Sequence, residues 1–306
     1  MTLDQLRIFV EVAEREHLTE AARVLNLSPS AVSAAIHILE DRYGVQLFDR
    51  VGRRIRLTWA GHVFMNEAKT TLTSAAATEL MLAEMGGLKR GSLRLQASQT
   101  IASYWLPPLL IQFQLTHPGI EIELTVGNTQ SVSQAVMDGM ADLGFIEGQI
   151  NESQLAIDII GEDRLIVVVA AGHPWVDNRP LKPSDLCTTP WIIREAGSGT
   201  RSAFESALKN YDIDLSDLDI ALTLPTNEAI RSAIESSCYA CVMSEFAAKS
   251  YIDAGRLRQA NFDLGPRFFY ILRHKKRYRT KIALAMEAQM RIPEFSSDGK
   301  RVSRVE

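Results

Sequence analysis

The chain has 306 residues, 46% of them hydrophobic and 23% charged, with a formal net charge of -4; that length exceeds one ordinary core and calls for two or three domains. A negative total excludes binding of nucleic acid through the overall field, so any such contact needs a local basic patch. Three cysteines, Cys187, Cys238 and Cys241, exclude a disulfide framework, Asp4 and Glu11 interrupt any leader-like apolar stretch, and no run reaches membrane-spanning length, which together place the chain in a reducing cytoplasm.

In chain order, Leu3, Leu6, Phe9, Val10 and Ala13 recur at helical spacing, and Thr2 with Gln5 fits a capping box, predicting an amphipathic first helix. A second short helix carries Ala21, Ala22 and Leu25, with Thr19 as its expected cap, and stops at Asn26-Leu27. Ser28-Pro29 then supplies an N-cap and a proline at the first helical position. In the third helix Val32, Ile36 and Leu39 make the buried stripe, while Ser30, Ser33, Ala34 and His37 share another face. This order predicts a helix-turn-helix, whose third helix enters the major groove with small side chains that admit close approach. Taken alone, "SPSAVSAAIHILE" reads equally as a capped surface helix.

After Tyr43-Gly44 closes that helix, "LFDRVGRRIRL" places Arg50, Arg53, Arg54 and Arg56 around Gly52. A hairpin wing of arginines beside a recognition helix is the required basic patch, suited to phosphates or the minor groove. The segment from Gln5 to Gly61 resembles the winged helix-turn-helix of LysR-type bacterial transcriptional regulators, almost without gaps. The resemblance implies that Ser28, Pro29, Ser30, Ser33, Ala34 and His37 face double-stranded promoter DNA, with Arg50, Arg53 and Arg54 from the wing. His37 stands where many members have glutamine or arginine.

From Thr58 to about Gly86 no proline occurs, and Met65, Ala68, Leu72, Ala76, Leu80 and Ala83 form a stripe, predicting one long helix of roughly 40 Å. Its stripe suits a partner helix better than burial within its own chain, and the resemblance implies a linker-helix homodimer, with homotetramers common and RNA polymerase as a further partner. Gly86-Gly87 and Gly91 mark the exit.

Beyond Gly91, "LRLQAS", "IEIELTV" and "DLGFIE" alternate with helices, and a second set runs "LIVVVAA", "WIIRE", "IALTL" and "ACVMS" before "RFFYILRH" and a last helix. That βαβ order predicts two α/β lobes with parallel sheets and a cleft at the strand C-terminal ends. The expected layout is a winged helix-turn-helix domain at 1–61, a linker helix at 62–90, and an effector domain at 91–292. Lobe I takes about 91–161 and 267–292, lobe II about 162–266, and 293–306 is a tail. The resemblance extends over 91–292 to the effector domain of LysR-type regulators, itself similar to periplasmic binding proteins.

The stretch "REAGSGTR" at 194–201 lacks the lysine of a nucleotide-binding P-loop. Its backbone N–H groups at Gly197, Ser198, Gly199 and Thr200, at a helix start, still suit an anion, with the two hydroxyls as further donors; a plain helix cap is the alternative. This loop resembles that of the LysR-type subgroup containing regulators of carbon-dioxide fixation and sulfur assimilation, which answer to small anions. By resemblance Ser98 and Thr100, with Gln99 between them, form the opposite wall, although either is also placed to cap its helix. Glu147 is expected at the hinge or rim, because a carboxylate repels an anion unless protonated or paired. Thr226 and Asn227 are further candidates, and Tyr239 is expected to narrow the cleft.

Cys238 and Cys241 have the spacing of a redox dithiol or half a zinc site, which keeps a redox-responsive regulator as one alternative and a periplasmic-type solute-binding protein as another. The six histidines are scattered outside any motif, so no catalytic constellation, cofactor or metal site is read. The reading is a DNA-binding regulator answering to a small anionic effector, not an enzyme.

Overall fold

The computed structural model describes residues 1–51, 54–85, 91–148 and 150–290. Of these, residues up to 85 together with 138–140 belong to one compact unit, and the described residues from 91 to 137 and from 141 to 290 to the other.

In the first unit α1 (Leu3–Arg15) opens with a reciprocal capping box. Thr2 Oγ1 accepts the Gln5 N–H at 3.2 Å and Gln5 Oε1 accepts the Thr2 N–H at 3.0 Å. His17, not Thr19, caps α2 (Leu18–Val24): its Nδ1 accepts the Glu20 N–H at 3.4 Å, and Thr19 already lies inside the helix. Asn26, left-handed at φ 54°, turns the chain toward α3 (Pro29–Tyr43). Val32, Ile36 and Leu39 of α3 are buried with Leu6, Phe9 and Ala21, so the core forms on the predicted stripes. The wing pairs β1 (Phe48–Val51) antiparallel with β2 (Arg54–Leu57), Phe48 opposite Leu57.

The long helix α4 (Trp59–Met85) has 27 residues. Its stripe divides. Met65, Ala68 and Leu72 pack on the core that holds Phe9, within the chain itself, whereas Ala76 is exposed. This corrects the reading of the whole stripe as a partner face: the helix first covers the apolar side of its own domain. The side chains of Leu80 and Ala83, the exit at Gly86-Gly87, Arg53 and the tail at 293–306 lie outside the described residues.

The second unit is a two-lobed α/β structure. In lobe I, β3 (Gly91–Ser98) lies parallel between β4 (Ile120–Gly127) and β5 (Leu143–Glu147). A π-helical turn at Ile101–Trp105 leads into α5 (Leu106–Thr116), and α6 (Thr129–Asp138) follows β4. In lobe II, β7 (Trp191–Arg194) lies parallel between β8 (Ile220–Leu224) and β9 (Ala240–Ser244). The helices α7 (Gly199–Lys209), α8 (Asn227–Glu235) and α9 (Glu245–Asp253) follow those strands in turn.

The sheet is mixed rather than parallel. The long β6 (Leu155–Ala170) and the returning β11 (Pro266–His274) pair antiparallel with each other, and β11 with β5, β6 with β9, and β10 (Leu257–Gln259) with β6 are antiparallel as well. The reason is the crossover: a chain that leaves lobe I on one strand and returns on the next must run back along it. The expected strand "LIVVVAA" is the second half of β6; Asp158 and Gly161 break the apolar pattern of the first half. Along β6, Leu165, Val167 and Val169 enter one core with Trp191 and Phe204, while Ile166 and Val168 enter another with Ile192 and Ile234. A strand covered on both faces reads as an unbroken apolar run. Lobe I is closed by α10 (Lys281–Met290), whose Met286 packs with Phe145 and Phe269.

Candidate functional site

The exposed face of α3 is built by its cap. Ser28 Oγ accepts the Ala31 N–H at 3.1 Å and Pro29 takes the first turn, so the helix begins without losing a hydrogen bond. Ser28, Pro29, Ser30, Ala34 and His37 are exposed and Ser33 is half-buried. Glu40, which sequence reasoning passed over, ties this helix to the wing: its Oε1 accepts the N–H groups of Leu47 at 2.8 Å and Phe48 at 3.2 Å. Arg50 and Arg54 occupy β1 and β2 opposite Ile55 and Val51.

In the second unit three strand ends meet helix starts. Glu147, at the end of β5, is 1% exposed and is not a rim residue. Ser98 Oγ donates to its Oε2, Thr200 Oγ1 donates to its Oε1 at 3.4 Å, and Thr129 Oγ1 donates to its backbone oxygen at 2.7 Å. The carboxylate is therefore buried between the lobes, held by one hydroxyl from each. Thr200 also accepts from Arg267 Nη1 at 3.1 Å, and Arg267 Nε donates to Asp163 Oδ2 at 2.7 Å, with Ser244 Oγ donating to Asp163 Oδ1 at 3.0 Å. Burial holds the Asp163 carboxyl above its ordinary value, an effect that Arg267 opposes.

The start of α7 is the open end of this network. Ser198 occupies the N-cap position, yet its hydroxyl makes no capping bond, is 1% exposed and has no hydrogen-bond partner among the described residues. A buried hydroxyl left unpaired at a helix N-terminus, beside N–H groups that the helix cannot satisfy internally, is a ready site for an acceptor. Gly199 permits the approach: a Cβ there would overlap the carbonyl oxygen of Glu147 and lie 2.5 Å from Thr129 Oγ1. Gly197 has φ +85°, a left-handed turn, and its carbonyl accepts the Gln130 N–H at 3.2 Å.

A second contact pins the lobes. The Asn227 N–H donates to Gln99 Oε1 at 2.8 Å, and Asn227 Nδ2 donates to Thr100 Oγ1 at 3.2 Å, while Arg194 Nη1 donates to Asn227 Oδ1 at 3.2 Å. Tyr104 donates to Glu228 Oε1 at 2.6 Å; burial first, and then Glu228, push its phenol up to about 12. Asn128 Nδ2 donates to Glu195 Oε1 at 3.2 Å. Ser98, Gln99, Thr100, Glu147, Gly197, Ser198, Gly199, Thr200 and Asn227 are thus brought together.

Thr226 is a helix cap, accepting the Ala229 N–H at 3.0 Å, whereas Thr100 precedes the π-helical turn without a side-chain capping bond. Tyr239 is partly buried against the core that contains Ile234 and Cys241, and it precedes β9, at the strand end opposite Ser244, which meets Asp163. The dithiol reading fails on burial: Cys241 is fully enclosed and its thiol is pushed far up by desolvation, while Cys238 is exposed. Asn128, Tyr104, Glu228, Arg194, Asp163 and Arg267 escaped the sequence reading. The first carried a signal, since "GNTQS" repeats the strand-end and helix-start pattern of "REAGSGTR".

Comparison with known families decides the class. Residues 3–62 match the bacterial regulatory helix-turn-helix proteins of the lysR family, and residues 86–291 match the LysR substrate binding domain. The chain belongs to the LysR family. This LysR-type regulator is 36% identical over 259 residues to the HTH-type transcriptional regulator YeiE of Escherichia coli strain K12, covering 85% of this chain and 86% of that one. It is 31% identical over 301 residues to a probable RuBisCO transcriptional regulator of Trichormus variabilis, covering 97% and 89%. The crystal structure of CbnR, a LysR family transcriptional regulator, shares the fold with a TM-score of 0.71 at 20% identity, over 95% of this chain and 98% of that one. The CcmR regulatory domain of Synechocystis PCC6803 in complex with 2-PG matches with a TM-score of 0.60 at 25% identity, over 66% and 96%. The LysR-type assignment makes the first unit a DNA-binding helix-turn-helix domain and the second an effector-binding domain. A stand-alone solute-binding protein has no use for the former. Among the described residues no helix is long and apolar enough to cross a membrane.

Proposed function

We propose that this LysR-type regulator acts in the cytoplasm, reads promoter DNA with Ser28, Pro29, Ser30, Ser33, Ala34 and His37 of α3 and with wing residues Arg50, Arg53 and Arg54, and answers to a small anion. The anion sits at the N-terminus of α7, taking hydrogen bonds from Ser198 Oγ and the backbone of Gly199 and Thr200, with Ser98, Gln99 and Thr100 on the facing wall. Ser198 carries this reading: its hydroxyl is buried, at a helix start and without a hydrogen-bond partner among the described residues. Glu147 occupies the Ser98 hydroxyl of the facing wall and its charge opposes an anion, so anion entry requires its carboxylate to take a proton or turn away. The site holds and releases its ligand without chemistry.

The working form is a homodimer through α4, and a homotetramer through the second unit, with RNA polymerase as its partner at the promoter. Supporting the first, Tyr43, Val45, Trp59 and Val63 line an apolar hollow of about 430 Å³, and Trp59 is 81% exposed. Supporting the second, Ile111 and Leu115 on α5 and Leu222 on edge strand β8 leave apolar surface uncovered.

Thermal melts of the full chain with inorganic phosphate, sulfate and 2-PG, at constant ionic strength, test the anion site. A ligand at a hundredfold excess over its Kd adds about 2.7 kcal/mol. Ser198→Val is expected to abolish the shift and Glu147→Gln to enlarge it. Equal shifts in the wild type and both variants would place the anion elsewhere.

A further inference from the structure

The recognition helix carries an exposed histidine, its side chain 57% accessible, and that ring has a partner. His37 Nδ1 lies 3.6 Å from Glu40 Oε2, one turn along α3. This is too long for a full hydrogen bond, but close enough for the carboxylate to decide which ring nitrogen holds the proton. Glu40 cannot turn away, because its other oxygen accepts from the N–H groups of Leu47 and Phe48. The other carboxylate lining the hollow between α3 and the wing, Asp49, stands opposite Arg56 in the register of the wing. Among the described residues Glu40 is the anion within ion-pair range of His37.

We infer that Glu40 is a positioning residue that fixes His37 as a sequence-reading acceptor. An ionised carboxylate accepts only, so the neutral imidazole carries its proton on Nδ1 and presents Nε2 as a bare acceptor. In the major groove, donors are the N6 amine of adenine and the N4 amine of cytosine, whereas guanine and thymine oppose it with acceptors. His37 therefore selects adenine or cytosine at one base pair of each half-site. This rests on the reading that α3 faces DNA.

The pinned geometry makes Glu40→Gln a diagnostic change. Its carbonyl oxygen stays on the two backbone N–H groups, which turns the amide NH2 toward His37 Nδ1. That nitrogen becomes the acceptor, Nε2 takes the proton, and the preference inverts toward guanine or thymine.

The test is selection from random duplex DNA by the full-length chain at pH 8.5, with wild type, Glu40→Gln and His37→Ala compared by sequencing. Wild type is expected to enrich adenine or cytosine in one column. Glu40→Gln should move that column to guanine or thymine by roughly three- to tenfold, and His37→Ala should flatten it alone. An identical column in wild type and Glu40→Gln overturns the inference while leaving DNA binding intact. Failure of the wild type to enrich any duplex removes the DNA reading itself, and the inference with it. A check free of substitutions uses the selected site with purine in place of adenine, or 2-pyrimidinone in place of cytosine. Loss of the exocyclic amine should weaken wild-type binding by the same factor, and unchanged binding overturns the assignment.

Discussion

Gly199→Ala is expected to destabilise the effector unit by about 1–3 kcal/mol, the usual cost of overpacking, and to remove its response to anions. The added Cβ meets a backbone carbonyl, that of Glu147, which cannot swing aside as the end of a side chain can. Either α7 retreats from β5 or β5 itself shifts, and both movements separate the Glu147 carboxylate from Thr200. For a domain of this size the loss corresponds to about 2–4 °C in Tm per kcal/mol. Gly172→Ala is the control, since a Cβ there meets nothing within 4 Å. Wild-type melting of Gly199→Ala would mean that the lobes do not close on the start of α7 in solution.

Arg267→Ala is expected to cost about 3–5 kcal/mol, because it strands the buried Asp163 carboxylate without its counter-charge. The side chains are 5% and 0% exposed, so water cannot replace the lost partner. The pH dependence has a definite sign. Asp163 already titrates above its ordinary value of 3.8, burial raising it and Arg267 lowering it. Without Arg267 the folded-state value rises further. A carboxyl raised in the folded state contributes stability that is fully present below the unfolded value and is lost as pH rises through the folded one. The deficit of Arg267→Ala should therefore be smaller at pH 5 than at pH 7.5 in urea unfolding, and a larger deficit in acid would show that Asp163 is not the group left exposed. The double variant Asp163→Asn with Arg267→Met should recover much of the loss.

The parts of this molecule that were legible in the sequence are those with local causes. Ser28-Pro29 starts α3 through a bond spanning three residues, and Thr2 with Gln5 closes its box within one turn. The strand-end loops also announced themselves, because glycines and hydroxyls clustered where apolar runs stopped. What could not be read depends on pairings distant in sequence. Asp163 meets Arg267 across 104 positions, and Asn227 meets Gln99 across 128. Each looks like an ordinary polar residue until the crossover strands bring the lobes together. A carboxylate beside an anion site reads as a hinge or rim residue, and nothing near Glu147 in sequence shows that it is buried; the hydroxyls of Ser98 and Thr200 that hold it come from elements 49 and 53 residues away. The split role of α4 was hidden for a related reason, since one stripe of helical spacing cannot say where along its length the chain's own core ends.

On the function proposed above, occupancy of the site at α7 changes how the first unit engages DNA. The direct measurement is fluorescence anisotropy of a selected duplex with the full-length chain, titrated with an anion that raises its Tm, at constant ionic strength. The expected result is a change in apparent Kd of about 5–150-fold, the usual range of allosteric coupling, and its disappearance in Ser198→Val. An anion that saturates the site and stabilises the fold, yet leaves the DNA affinity and the footprint unchanged, would contradict it.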